Sequence, residues 1–480
     1  MAPVSARDRG RELSPLSAPC QSAGAPRGQA TNVLRLAADG RIAGVVGLAQ
    51  AKGTCKRSPA ATFADMDKRD FLRTVGCAAT AALCGDVSGG SDATTPLPMT
   101  ADFWQQLRAR YRLPEGRIDL EQGYYSRMAN DVLEALVGHL RAVNVDAAFY
   151  MRTRQMDDKR RSRELLAELA GCGADELIIT RNTTESLDTV IASFDWRAGD
   201  EAVMAKQDYG AMLDMFAQQQ RRYDIENRLV SLPVNPTTDA ELVDLYANAI
   251  TAKTRLLMIC HLVNITGQIL PVRKIVDMAH AKGVPVLVDG AHAFAQLDFR
   301  IPELGCDYYG ASLHKWLGCP LGAGILYVKK ERLKGMWPLF GDPCPDQFID
   351  KLNHTGTHPA ATDLAIVDAI RVHREIGSVR KEERLRWLQK YWTTKVRELP
   401  RVRMFTPKDP LRTCAIATVG IDGVTPKELA KQLLDRHRIF TVAIDSADAG
   451  VHGVRVTPHL YTTTEELDAF VAAITAIAQG

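Results

Sequence analysis

Three features are missing from this 480-residue sequence, and each absence excludes a class of protein. No apolar run reaches the roughly 20 residues that a membrane-spanning helix needs. The formal net charge is only +3, and residues 1–65 carry nine Lys or Arg against four Asp or Glu. The remaining 415 residues therefore hold 51 basic and 53 acidic side chains. This near-neutral balance argues against nucleic acid or an anionic membrane as a partner.

The ten cysteines lack the spacing of a metal site or a disulfide framework. Four of them precede residue 100, and the other six form no C-x-x-C pair and no Cys–His pattern. For these six we therefore expect neither a zinc site nor a disulfide framework, and we interpret them as buried free thiols.

The first 100 residues differ in composition from the rest of the chain. Residues 1–65 are rich in Ala, Gly, Arg, Ser and Pro, so we interpret them as disordered, or as upstream sequence ahead of a true start at Met66. Residues 66–84 resemble a twin-arginine export signal, with Lys68 in place of the first arginine; an ordinary amphipathic start is the alternative. Residues 85–100 have a linker composition. We expect a periplasmic protein if this signal works, and a cytoplasmic one otherwise.

From about residue 160, short apolar runs alternate with helical patterns. Such alternation predicts an α/β fold with a mostly parallel sheet that helices cover on both faces. The last run follows a tight glycine loop, which is compatible with an antiparallel strand. The predicted strands are residues 176–180, 201–206, 254–261, 284–289, 306–311 and 324–329.

Polar side chains follow five of these strands at the point where each strand ends. Because ligands bind beyond the carboxyl ends of parallel strands, we expect these side chains to form one site. The residues are Arg181 to Ser186, Asp208, Tyr209, Asn264, Asp289, His292, Ser312, His314 and Lys315.

The residue types indicate a pyridoxal 5′-phosphate (PLP) site. Thr183 and Thr184 begin a predicted helix, where their hydroxyls and the free backbone N–H groups can bind an anion. An ordinary N-cap would need only one threonine. Asp289 ends the apolar run V-P-V-L-V-D, where a carboxylate needs a cationic partner such as a protonated pyridine. Lys315 precedes three glycines that allow close approach to a ligand, and PLP enzymes use such a lysine as a Schiff base. Tyr209 adds a flat ring.

These stretches resemble the class V aminotransferase family of fold-type I PLP enzymes, and within it the isopenicillin N epimerase-like branch. The similarity covers about residues 100–480 and is strongest in V-D-G-A-H-A, S-L-H-K and G-C-P-L-G-A-G. It implies that Lys315 forms the Schiff base, Asp289 pairs with the pyridine nitrogen, and His292 and Asn264 contact the ring hydroxyl. Tyr209 would then stack on the cofactor.

The resemblance further implies a phosphate site shared between two subunits. Thr183, Thr184, Ser312 and His314 would hold the phosphate. Thr357, in H-T-G-T-H-P, would reach the phosphate of the neighbouring subunit, so a homodimer with shared active sites is expected.

The same resemblance implies two domains and a substrate-binding arginine. Residues 101–350 would form an N-terminal arm and a large domain with a seven-stranded, mostly parallel sheet. Residues 351–480 would form an interdomain helix and a smaller α/β domain. Arg455 would grip the carboxylate of an amino substrate, with a rim salt bridge as the alternative, and Tyr124 would line the entrance. Thr462 stands where the branch usually has Asn.

The fold alone does not choose the reaction. A cysteine desulfurase would need a cysteine on the loop before Arg455, and D-S-A-D-A-G-V-H-G-V-R has none. Transamination needs only Lys315 as a proton shuttle, so the aminotransferase ranks first. An amino-acid epimerase or PLP-dependent lyase is the second prediction, and a binding protein with the PLP fold but without catalytic activity is the third. No G-x-G-x-x-G follows an early strand, which disfavours a nucleotide-dependent oxidoreductase.

Overall fold

The computed structural model describes residues 101–480. The predicted disordered or upstream segment 1–65 and the export signal and linker at 66–100 lie outside these residues. Within the described part, no helix is long and apolar enough to cross a membrane.

The described chain alternates strands and helices as predicted. The strands are β1 (Ile118–Asp119), β2 (Leu177–Thr180), β3 (Glu201–Ala205), β4 (Glu226–Val230), β5 (Thr254–Cys260), β6 (Val286–Asp289), β7 (Tyr308–Ser312), β8 (Gly324–Val328), β9 (Val402–Met404), β10 (Ala417–Ile421), β11 (Ile439–Phe440), β12 (Val442–Ser446) and β13 (Val451–Val456).

The α-helices cover the sheets and connect the strands. They are α1 (Ala101–Ala109), α2 (Asn130–Val145), α3 (Ala147–Thr153), α4 (Gln155–Ala170), α5 (Thr183–Ser193), α6 (Gly210–Tyr223), α7 (Asp239–Ala249), α8 (Val272–Ala281), α9 (Ile301–Leu304), α10 (Lys330–Leu333), α11 (Ala360–Ile376), α12 (Ser378–Val396), α13 (Pro426–His437) and α14 (Thr464–Gln479).

The large sheet has seven strands in the order β2-β8-β7-β6-β5-β3-β4. All neighbouring pairs from β7 to β4 are parallel, whereas β8 is antiparallel to both β2 and β7. The predicted mostly parallel α/β fold is therefore confirmed, and the strand after the glycine loop does run antiparallel. The carboxyl ends of the parallel strands meet at one edge, which is where the polar residues were expected.

Strand β4 was not predicted from the sequence. It lies at the edge of the sheet, and of its five residues E-N-R-L-V only Val230 is buried. An edge strand with a solvated face does not need the continuous apolar run by which the central strands were recognised.

Two apolar layers pack against opposite faces of the large sheet. On β5, Leu257 and Ile259 belong to one layer, while Leu256 and Met258 belong to the other. Successive strand residues point to opposite faces, so a strand covered on both sides is apolar throughout. This double covering holds the strands rigid and leaves their ends for binding.

A smaller four-stranded antiparallel sheet, in the order β12-β13-β10-β9, forms the C-terminal α/β region. Its core includes Trp392 of α12 and Phe470 of α14, whose rings meet edge to face at 5.2 Å. The expected smaller C-terminal sheet is thus present, while the proposed domain boundary between residues 350 and 351 stays a prediction. Strand β1 pairs with β11 in a separate two-stranded sheet.

Candidate active site

A cavity of about 300 Å³ opens at the carboxyl edge of the large sheet. Side chains from β5, β6 and β7, the start of α5 and the segment after β1 line this cavity. Ten of the twelve predicted site residues lie on its wall: Tyr124, Thr183, Thr184, Tyr209, Asn264, Asp289, His292, Ser312, His314 and Lys315.

Lys315 lies just beyond the end of β7, with its side chain buried in the cavity wall. Its Nζ is 3.1 Å from Nε2 of His292. Burial lowers the pKa of Lys315 to about 8, although the negative charge of Asp289 partly opposes this shift. A substantial fraction of Lys315 is consequently an uncharged amine at mildly basic pH, as a nucleophile or a general base requires.

Asp289 ends β6 and is buried beneath the cavity. Its Oδ1 accepts a hydrogen bond from the backbone N–H of Ala291 at 2.9 Å. Burial raises its pKa, and the charge of Lys315 partly offsets that rise. The next residue, Gly290, has to be a glycine because a Cβ at this position would lie 1.9 Å from Cζ of Tyr309. The V-D-G sequence therefore reflects close packing behind a buried carboxyl group.

His292 and Asn264 face the same cavity from neighbouring connections and are both buried. Burial, followed by the charge of Lys315, holds the pKa of His292 well below its usual range, so the imidazole is neutral. Within residues 101–480, His292 Nδ1 and Asn264 Oδ1 have no hydrogen-bond partner. Buried polar atoms of this kind fit a polar ligand that would complete their hydrogen bonds.

The start of α5 and the end of β7 form a hydroxyl-rich corner. The Thr183 backbone N–H donates to Oγ of Ser312 at 2.9 Å, and the hydroxyl oxygens of these two residues are 2.7 Å apart. Asn182 caps the helix by accepting from the backbone N–H of Glu185 at 2.9 Å. Thr184 is therefore not needed as the cap, and its position at the first turn suits an anion.

Aromatic rings border the cavity on its solvent side. Tyr209 precedes α6, lines the cavity and is 37% exposed, so its ring is accessible to a planar ligand. Tyr125 stacks on His314 with ring centroids 6.2 Å apart, and burial lowers the pKa of His314 to about 4. The imidazole of His314 is thus uncharged at neutral pH, and it would contact a phosphate as a hydrogen-bonding group.

Thr357 does not line this cavity. It is exposed and belongs to a different depression whose wall includes Met151, Cys344 and His354. Its role in contacting a cofactor of the partner subunit stays a prediction.

Arg455 is placed behind the cavity wall rather than on it. Its Nη2 and Nε donate to the two carboxylate oxygens of Glu121 at 2.6 and 3.3 Å. Its guanidinium carbon lies 3.8 Å from the ring centroid of Tyr124, and no part of the side chain is exposed. The proposed contact of Arg455 with a substrate carboxylate therefore stays a prediction.

Two buried acidic residues beside the cavity, neither of which lines it, had no role assigned from the sequence. Glu121 stands in L-E-Q-G, where nothing local distinguishes it from a surface glutamate. Asp208 follows β3 and accepts from the backbone N–H of Ala205 at 2.8 Å. Burial raises the pKa of Asp208 to about 7, and the nearby charge of Asp289 adds to this effect. The sequence places Asp208 directly after a strand, which could have suggested a role in the site. The sequence does not show that Asp208 is buried.

Residues 126–470 match the model of the aminotransferase class-V family. The chain belongs to this family. Its sequence is 28% identical over 400 residues to isopenicillin N epimerase of Streptomyces clavuligerus, covering 79% of this chain and 99% of the relative. A probable cysteine desulfurase of Halalkalibacterium halodurans is also 28% identical, over 72% of this chain and 88% of the relative.

Solved structures agree with this family assignment at the level of the fold. A C-DES mutant with glycine covalently linked to the PLP cofactor superposes with a TM-score of 0.69 at 21% identity, covering 75% of this chain and 97% of that protein. The cysteine desulfurase CsdA of Escherichia coli gives 0.68 at 23% identity, over 78% and 98% of the two chains. The predicted fold-type I architecture is thereby confirmed.

The comparisons confirm the predicted class V family and its link to isopenicillin N epimerase. The relatives are named for epimerisation and desulfuration rather than for transamination. They accordingly support the epimerase alternative better than the aminotransferase that ranked first from the sequence. This class-V enzyme is thus a member of a PLP-dependent family whose named relatives catalyse different reactions.

Proposed function

We propose that this class-V enzyme binds PLP at Lys315 and epimerises the α-carbon of an amino acid. The observation that carries the proposal is the buried Lys315 amine, whose pKa is lowered to about 8, on the same cavity wall as the buried Asp289. A sequence similarity that spans 99% of an isopenicillin N epimerase supports epimerisation over the other reactions of the family.

The residues of the cavity fit PLP group by group. Asp289 is the buried carboxyl group that would pair with the pyridine nitrogen. The corner formed by Thr183 and Ser312 would hold the phosphate, together with the free N–H groups of α5. His292 and Asn264 carry the buried polar atoms that would meet the ring hydroxyl. When bound, PLP supplies an electron sink for the negative charge that develops at the α-carbon.

Lys315 would move the proton at the α-carbon. Its hydrogen-bond partner is a neutral imidazole, and the charge of Asp289 only partly opposes the loss of its proton. The cavity wall keeps Lys315 about nine-tenths buried, and this burial is the main cause of its lowered pKa. A base in this setting can take the proton from one face of the α-carbon, and epimerisation requires in addition that a proton be delivered to the opposite face of that atom.

Desulfuration is disfavoured although several relatives carry that name. The turn between β12 and β13 contains no cysteine, so no thiol stands on the expected loop. Cys260 does line the cavity, but burial and then the charge of Asp208 raise its thiol pKa well above the usual range. A protonated, buried thiol is a poor nucleophile.

The proposal is tested by supplying purified enzyme and PLP with a panel of L-amino acids in D₂O. Epimerisation incorporates deuterium at the α-carbon and produces the opposite configuration, without a stoichiometric keto acid. A keto acid formed in step with cofactor consumption would instead establish transamination, and conversion of cysteine to alanine with loss of its sulfur would establish desulfuration. Lys282→Ala, which changes an exposed lysine outside the cavity, serves as the control.

A further inference from the structure

The guanidinium group of Arg455 is already engaged by the protein on several sides. Glu121 accepts from Nη2 and Nε, and the backbone carbonyl of Asn264 accepts from Nη1 at 3.2 Å. Glu121 and Arg455 are both buried, with side-chain exposures of 5% and 0%. A two-point pair of this kind is the arrangement with which an arginine binds any carboxylate.

The segment that carries Glu121 also closes the path from the cavity to Arg455. The ring of Tyr124 lies over the guanidinium at 3.8 Å, and Tyr124 itself lines the cavity. Gly123 allows the backbone to pass close by, since a Cβ there would be 3.3 Å from Nη2 of Arg455. The backbone N–H groups of Gln122 and Gly123 donate to Oγ1 of Thr457 at 2.7 and 3.0 Å.

We infer that Glu121 is a specificity-determining residue that competes with the carboxylate of the substrate for Arg455. The inference rests on the proposed function, because it concerns an amino substrate bound in the same cavity. The Nε–Nη2 edge of a guanidinium accommodates one carboxylate at a time. An α-amino acid that uses this edge must displace Glu121, whereas an amine without a carboxylate incurs no such cost.

Displacement of Glu121 is coupled to the cavity wall. Its Oε1 accepts from the backbone N–H of Tyr124 at 2.9 Å as well as from Arg455. Release of this oxygen therefore frees the backbone of Tyr124, whose ring separates Arg455 from the cavity. Exchange of one carboxylate for another and uncovering of the arginine are parts of one rearrangement.

Glu121→Gln tests the competition because the amide keeps the size of the side chain and a hydrogen-bond acceptor but removes the charge. Binding of L-alanine and of ethylamine is measured by titrating the visible absorption of the cofactor in the holoenzyme. We expect the variant to bind L-alanine at least about tenfold more tightly, the range of a charge-assisted pair, and to bind ethylamine as the wild type does.

Glu201→Gln is the matched control. Glu201 has the same 5% side-chain exposure and also faces an arginine, Arg228, but it starts β3 at the edge of the sheet opposite the cavity. Its ratio of L-alanine to ethylamine affinity should equal that of the wild type. Glu121→Asp keeps the charge but shortens the reach, so its ratio should shift in the same direction by a smaller factor. This second variant decides the question if Glu121→Gln does not fold.

The outcomes separate this inference from the proposed function. A wild-type protein that shows no cofactor band, or no band fixed to Lys315 by borohydride, would disprove PLP binding itself. A normal band with an unchanged affinity ratio in the Glu121 variants would leave PLP binding standing and overturn the competition. Weaker binding of both ligands would also overturn it, since that is the result expected if Glu121 only holds the wall in place.

Discussion

Lys315 and Arg455 are two buried cations near one cavity, and their surroundings are opposite. Lys315 has a neutral imidazole as its hydrogen-bond partner, and burial lowers its pKa to about 8. Arg455 has a two-point carboxylate partner, a carbonyl and a covering ring. Burial without a directly bonded carboxylate makes an amine available for chemistry, whereas the paired guanidinium is occupied until something displaces its partner.

A third buried cation extends the comparison. Lys381 of α12 donates to the backbone carbonyl of Trp316, the residue after Lys315. Burial lowers the pKa of Lys381 to about 7, and no carboxylate in the described chain bonds to it. Lys381 contacts the turn that carries Lys315 but does not line the cavity, and in both lysines burial is the main cause of the lowered pKa.

The largest effect is expected for Lys315→Ala. Loss of the amine removes both the covalent link to PLP and the base, so exchange of the α-proton should fall by about 10³- to 10⁴-fold. Deuterium incorporation into an amino acid, followed by NMR, measures this loss. Borohydride reduction and peptide mapping of the wild type should place the cofactor on Lys315. Fixation on another lysine would contradict the site assignment.

Arg455→Ala should have the next largest effect, because it leaves Glu121 as an unpaired buried charge. Removing one partner of a buried ion pair typically costs about 3–5 kcal/mol of unfolding free energy. The double change of Glu121→Gln with Arg455→Met should recover most of that stability. Denaturant unfolding of the holoenzyme measures both. Equal stability of Arg455→Ala and the wild type would show that this pair is not held as described.

Asp289→Asn should lower α-proton exchange by roughly a hundredfold, the scale of losing one well-placed electrostatic group. The amide preserves shape but not the negative charge that Asp289 would place against the ring nitrogen. Asp208→Asn is the comparison variant. Burial raises the pKa of Asp208 to about 7, so below pH 7 it is largely neutral already and its replacement should matter less. Equal losses in the two variants would contradict the assigned roles.

Lys381→Met should have the smallest effect on activity, because Lys381 does not line the cavity, and should instead change the pH dependence of stability. The folded chain releases the Lys381 proton near pH 7, whereas the unfolded chain keeps it up to the ordinary value of 10.5. Because the unfolded state then binds more protons, this residue makes the unfolding free energy rise with pH across that window, by up to about 1.4 kcal/mol per pH unit. The variant should lose this slope. Parallel wild-type and variant curves would show that Lys381 stays charged.

Local sequence patterns were sufficient for the residues that follow buried strands. Asp289 ends V-P-V-L-V-D, and Lys315 follows the strand that ends at Ser312, so each position can be read from its own stretch of chain. Thr183 is recognisable in the same way, as the start of a helix after a strand. Parallel strands bring their carboxyl ends to one edge, and a site at that edge follows from the strand order alone.

The partner of Arg455 could be identified only from the tertiary structure. Its partner Glu121 is 334 positions away in the chain, and their contact depends on the segment after β1 running beside the end of β13. The sequence around each residue is compatible with a free side chain. The burial of Asp208 likewise depends on strands packed around it. Strand-end chemistry is local and can be read from a motif, whereas an ion pair between distant elements exists only once packing has removed water from both partners.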